Sequence, residues 1–147
     1  EVEVGHMVES VELFRATQAA IPTAWPVDGS LTSGFGLRRS PINRKWKFHS
    51  GIDISAPRGT PVVAPAGGMV REARYSTGYG RLIEIDHGFG IVSRFAHNSR
   101  IFVKKGKEVE QGQVIATVGM TGQTTGPHLH YEVLMNGRPV DPLEYLE

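Results

Sequence analysis

Cysteine is absent from this chain of 147 residues, so disulfide frameworks, thiolate metal sites and cysteine nucleophiles are excluded. Long apolar runs are missing as well; none approaches the ~20 residues that a helical membrane span requires. Charge of one sign is also lacking: 16 Lys plus Arg stand against 15 Asp plus Glu, a formal net charge of +1. No basic stripe with interleaved aromatics is present, which argues against nucleic acid as a partner. The mildly basic pI of 8.4 would not repel an anionic polymer. No targeting segment is visible at the start, which a mature or trimmed chain would also lack. What remains, with 39% hydrophobic residues, suits one domain with enough length to bury a core.

The chain divides into residues 1–24, an N-terminal helix or linker, and a domain over 25–147. Val4, Met7, Val11, Phe14 and Ile21 fall on three- and four-residue steps, with Gln18 filling the gap. That spacing predicts a short helix, either the end of a coiled coil or an amphipathic helix packed on the domain. Pro22 and Pro26 end it. Gly5-His6-Met7 reads as a cloning remnant, so His6 is given no functional weight.

From Trp25 onward short β-type runs alternate with Gly and Pro. Strands are predicted near 61–65, 68–75, 81–87, 90–97, 113–118 and 128–135. Asn136-Gly137 is a two-residue hairpin turn that returns the chain into Arg138-Pro139-Val140. The fold class is therefore mainly β, an antiparallel sheet domain with a short N-terminal helix. Segments 59–73 and 106–119 look alike and resemble the turns of biotinyl and lipoyl carrier domains. No modifiable lysine stands at a tight turn between strands as those carriers need.

The run GPHLHYEV, residues 126–133, sets two imidazoles two positions apart. In a strand successive side chains point to opposite faces, so His128, His130, Glu132 and Leu134 share one face. Leu129, Tyr131, Val133 and Met135 share the other, the core face. HSGID, residues 49–53, adds His49 and Asp53, both good ligands for a divalent ion. Gly51 and the nearby Pro57 and Gly59 argue for a strand or turn there. RFAH, residues 94–97, ends a predicted strand on His97. His87, ahead of a Gly-rich turn in DHGFG, suits a structural role. Glu132 can orient the His130 ring or simply face solvent.

Five candidates thus stand out: His49, Asp53, His97, His128 and His130. A catalytic zinc site commonly uses three protein ligands and keeps one position open. Two histidines and one carboxylate fit that pattern, and the surplus imidazoles suit acid/base work in a hydrolysis. The same ligand set also serves non-haem iron oxygenases, which the surplus histidines disfavour.

HSGIDISAPRGTPVVAPAGGMV, GYGRLIEIDHG, RFAH and VKKGKEVEQGQVIATVGMTGQTTGPHLHYEV occur in this order. Together with WPVDGSLTSGFGLRRSP they resemble the lysostaphin-type zinc endopeptidases, which cut peptide bonds in peptidoglycan. The resemblance covers roughly residues 25–146. It implies Zn²⁺ held by His49, Asp53 and His130, with His97 and His128 acting on the water and the tetrahedral intermediate. Phe95 departs from the pattern where a tyrosine is frequent. The implied activity is hydrolysis of peptidoglycan cross-links, and the helix-plus-WPV entry points to direct D-Ala to diaminopimelate links rather than glycine bridges. Stem peptides are the implied partner, and the periplasm or cell envelope the implied location. Loops 37–48 and 120–127 are expected to wall the groove, the first with Arg38, Arg39, Arg44, Lys45 and Lys47. The alternative is a non-catalytic wall-binding or hydrolase-activating module that retains the metal.

Overall fold

The structure, a computed structural model, describes residues 2–39 and 43–147; the side chains of residues 2–8, His6 among them, lie outside the description. Helix α1 (Val2–Ala20) opens the chain where the periodicity predicts it. Its described stripe is not packed on the sheet: Val11 and Phe14 stand exposed, and only the end of the helix is seated, through buried Ala20.

Among the described residues twelve strands follow: β1 (Ser30–Ser33), β2 (Gly36–Arg39), β3 (Trp46–His49), β4 (Ile52–Ser55), β5 (Pro61–Val63), β6 (Gly68–Ser76), β7 (Gly80–Gly88), β8 (Ile91–Ile101), β9 (Glu108–Val109), β10 (Val114–Val118), β11 (His128–Met135) and β12 (Arg138–Val140). Every pairing is antiparallel. The main sheet runs β1-β4-β11-β8-β7-β6-β9, with β12 beside β11 and with β10 joining β5 to β8. Strands β2 and β3 form a separate hairpin. The segment 37–48, expected as a loop, is therefore largely paired strand around residues 40–42, which lie outside the described part.

The expected strands all appear, with β8 running on to Ile101 past its predicted end. Asn136 and Gly137 take φ of 52° and 80°, the left-handed pair that a two-residue hairpin turn needs. The two look-alike segments lie antiparallel against each other. Gly59 N–H donates to Val118 O at 2.8 Å and Gly106 N–H to Val70 O at 2.8 Å.

Alternation along β11 builds the core. Leu129, Tyr131 and Val133 are fully buried against Ile52 and Ile54 of β4, Ile83 and Ile85 of β7 and Phe95 of β8. Each such side chain contributes about 1.5–3 kcal/mol by leaving water. Phe95 belongs to this core, its ring 5.4 Å from that of Tyr131.

Gly51 joins β3 to β4 at a point with no room for a side chain. A Cβ there would lie 2.3 Å from the Tyr131 carbonyl oxygen and 2.8 Å from Glu132 Cγ. This close approach lets β4 dock on β11 while His49 and Asp53 flank the joint. Gly51→Ala is expected to destabilise the fold by about 1–3 kcal/mol, since backbone must shift to admit the methyl. Thermal unfolding of the metal-free protein measures this; an unchanged midpoint contradicts it.

Candidate active site

The register of β4 on β11 sets Asp53 directly opposite His130. Facing side chains in such a pair have Cβ atoms ~4.5–5.5 Å apart, within reach of a hydrogen bond. His130 Nδ1 lies 2.8 Å from Asp53 Oδ1. The other carboxylate oxygen, Oδ2, lies 3.3 Å from His49 Nε2, which arrives from the end of β3. His49, Asp53 and His130 offer ligand atoms all within 4.8 Å of one another, a group that can hold a metal ion.

Each ring is oriented from behind. His49 Nδ1 is 2.7 Å from the Gly34 carbonyl oxygen. Donating its N–H there leaves Nε2 with a lone pair for a ligand. His130 Nε2 is 3.7 Å from Glu132 Oε2. Glu132 does not face solvent; at 2% exposure it is buried. It accepts from the Ser50 hydroxyl at 2.6 Å and meets Arg94 Nη1 at 3.8 Å, and Arg94 in turn binds buried Glu84. A chain of alternating charge thus runs beneath the site, as buried ions require.

His97 and His128 complete the group, their ring centroids 5.0 Å apart. His128 Nδ1 lies 2.9 Å from the Gly126 carbonyl oxygen and 3.0 Å from Thr124 Oγ1, while Nε2 is 3.8 Å from Asp53 Oδ1. His97 is not at a strand end. Its φ is +65°, and β8 places two residues between Phe95 and Asn98 where β7 places one between their partners Ile83 and Arg81. That β-bulge re-aims a side chain which plain alternation would send into the core beside Phe95. The left-handed backbone is unfavourable for a histidine and is held by two hydrogen bonds. His97 N–H donates to Tyr79 O at 2.8 Å, and the ring Nδ1 meets Thr121 O at 2.6 Å.

All five residues predicted from sequence therefore converge. Asp53, His97, His128 and His130 line one open cleft of about 690 Å³, with Arg38, Lys47 and Tyr79 among its other walls. The expected wall at 120–127 is present through Gln123, Thr124 and Thr125. His87 stays apart, its ring bridging the Gly67 carbonyl at 2.8 Å and Ser93 Oγ at 2.7 Å, a structural role. Sequence reasoning missed Ser50, Tyr79 and Arg94. Tyr79 was masked by its GYG turn, and Arg94 and Ser50 show their function only through Glu132. The carbonyls of Gly34, Thr121 and Gly126 have no sequence signal.

Electrostatics follow from this packing. Burial pushes the Asp53 carboxyl up, but the His130 hydrogen bond and the charges of His130, His49 and His128 hold it below its ordinary value. Burial pulls His130 down, yet Asp53 and Glu132 raise it to about 9. Burial raises Glu132, but His130 and Ser50 hold it low, so it stays ionised. Burial lowers His97 further than the Thr121 carbonyl raises it. His97 is thus neutral near pH 7, the form that accepts a proton. Burial and the Glu132 carboxylate push the Tyr79 phenol up.

Two imidazole nitrogens and one carboxylate whose ligand atoms lie within 4.8 Å of one another form a donor set that fits zinc. Residues 47–142 match the family model described as Peptidase family M23. The chain belongs to this family. It is 45% identical over 113 residues to "DD-carboxypeptidase/endopeptidase Mpg" of Neisseria meningitidis, covering 77% of this chain and 26% of that protein. This chain therefore spans about a quarter of that relative's length. A zinc-containing peptidase of Vibrio cholerae superposes with a TM-score of 0.78 at 40% identity, over 82% of this chain and 39% of that one. The catalytic domain of lysostaphin from Staphylococcus simulans gives a TM-score of 0.71 at 32% identity, over 80% of this chain and 91% of that one. The mainly antiparallel fold of the lysostaphin-type peptidases, expected from the sequence, is the fold observed.

Two outcomes follow for this M23 site. In metal-free protein near pH 7 His130 carries a proton that any metal must displace, since its pKa lies at about 9. Zinc affinity should rise with pH by about tenfold per unit up to that point and then level off. Calorimetric titration in buffers of different ionisation enthalpy reads the proton directly, and uptake without proton release contradicts it. Glu132→Gln should weaken zinc binding by about 10–100-fold while the fold persists. Equal zinc affinity in a chelator competition would show that the buried carboxylate is irrelevant to His130.

Proposed function

We propose that this chain is a zinc-dependent endopeptidase domain that hydrolyses peptide cross-links of bacterial peptidoglycan. The observation that carries the proposal is the pairing of a ligand group with two further imidazoles on one open cleft. A purely structural metal site would be closed and would have no use for His97 and His128. The ligands in this reading are His49, Asp53 and His130.

A bound zinc ion would supply Lewis acidity, lowering the pKa of water and polarising the scissile carbonyl. The chain's own groups then move protons and hold charge. His97 and His128 both engage a backbone carbonyl through Nδ1, which leaves each Nε2 for chemistry. One imidazole takes the proton of the attacking water. The other, in its protonated form, donates from Nε2 to the oxyanion or gives that proton to the leaving amine. Thr124, hydrogen-bonded to His128, and Thr121, hydrogen-bonded to His97, keep the rings from turning away.

The substrate reading is direct D-Ala to diaminopimelate linkage, supported by the neisserial relative's name, a DD-carboxypeptidase/endopeptidase. Stem peptides are then the partner, and the periplasm or cell envelope, where this polymer lies, the site of action. No helix of the described residues is long and apolar enough to cross a membrane.

Purified peptidoglycan incubated with zinc-loaded protein should release uncross-linked muropeptides, and a chelator should stop the release. Mass spectrometry of the products identifies the bond. No release at all would favour the non-catalytic, hydrolase-activating alternative. His49→Ala or Asp53→Ala should lose stoichiometric zinc, and retention of zinc contradicts the ligand set. His128→Ala should keep zinc and lose about 10²–10⁴-fold in turnover. Near-full activity in that variant would overturn its role.

A further inference from the structure

The hairpin β2–β3 carries two cations that no carboxylate among the described residues pairs with. Arg38 sits directly opposite Lys47, and Gly36 opposite His49. Alternation puts Arg38, Lys47 and His49 on one face of the hairpin. Arg38 and Lys47 both line the cleft shared by Asp53, His97, His128 and His130. Neither takes part in an ion pair among the described residues.

Like charges directly opposite in an antiparallel pair destabilise the pair. An anion held between them would remove that penalty. A guanidinium fork and an ammonium together suit a carboxylate, whose two oxygens accept from both. Lys47 precedes His49 by two positions, about 7 Å along the strand. The anion would therefore sit about one residue away from the reacting carbonyl. Diaminopimelate meets that requirement. When one of its amines forms the cross-linking amide, the carboxylate on the same carbon stays free. A glycine bridge has no such group.

Resting on the endopeptidase reading above, we infer that Arg38 and Lys47 form a clamp for the free carboxylate beside the scissile amide. The clamp makes the cleft selective for cross-links that carry an anion at that position. Gln123, Thr124 and Thr125 across the cleft supply neutral donors and acceptors for the peptide backbone.

The test uses cross-linked muropeptide dimers whose diaminopimelate carboxylate beside the bond is either free or amidated. Zinc-loaded wild type should cleave the free form with a kcat/KM at least about tenfold higher. In the double variant Arg38→Gln/Lys47→Gln that ratio should fall toward one, chiefly through KM on the free form. Lys47→Arg, which keeps the charge, should restore it, and Lys104→Gln, outside the cleft, should leave the ratio as in wild type. A wild type without preference, or a double variant with the wild-type ratio at equal zinc content, overturns the clamp. If wild type cleaves neither dimer, the endopeptidase reading fails on its own. Calorimetric binding of both dimers to zinc-loaded His128→Ala then decides the clamp: tighter, salt-sensitive binding of the free form supports it, and equal binding overturns it.

Discussion

The register between β4 and β11 is the constraint on which this molecule depends. Asp53 meets His130 because Ile52 and Ile54 pack on one side of β4 while Leu129, Tyr131 and Val133 pack on the same side of β11. The apolar face fixes the alignment, and the polar face inherits it. A one-residue slip would exchange the faces of β11, sending both imidazoles into the core and Tyr131 into the cleft. The same apolar contacts that hold the sheet therefore set the separation of the ligand atoms. Gly51 completes the arrangement by letting the backbone of the β3–β4 joint touch β11.

Charge is distributed around this register in layers. Asp53 lies uppermost, between three imidazoles. Glu132 lies beneath it, then Arg94, then Glu84, which also meets Arg71 at 3.3 Å. With His130 between Asp53 and Glu132, signs alternate along the chain, and each carboxylate in it has a cationic or imidazole neighbour. One oxygen of Glu132 has no hydrogen-bond partner and faces Arg94 only at 3.8 Å. The carboxylate is consequently held by charge more than by hydrogen bonds on that side, which concentrates its influence on His130.

Much of this was legible in the sequence, for a physical reason. The run 128–135 is a central strand with one apolar face, and such strands display strict alternation. Its bounds, its turn at Asn136-Gly137 and its inward face follow from that pattern. The five site residues were likewise visible, because few chemistries use imidazoles and a carboxylate in separated but ordered pieces. Less legible were strands with both faces partly wet. Arg38, Arg39 and Lys47 gave β2 and β3 no apolar rhythm, so the hairpin read as a loop. His97 read as a strand end because a bulge leaves no mark in composition. Glu132 stayed open between orienting His130 and facing solvent because its partners Arg94 and Ser50 are brought to it only by the tertiary fold. The helix stripe, regular in sequence, is exposed at Val11 and Phe14; periodicity predicts a helix but not the neighbour that covers it.

Three contacts that shape the centre join distant chain. Asp53 and His130 are 77 positions apart, Ser50 and Glu132 are 82, and His97 and Thr121 are 24. Such contacts form late, after the entropy of closing long loops has been overcome. A nascent or partly folded chain therefore holds no assembled centre, however complete its motifs. A divalent ion held by residues so far apart would act as a tether that the denatured ensemble lacks, and its binding would be coupled to the integrity of the whole sheet.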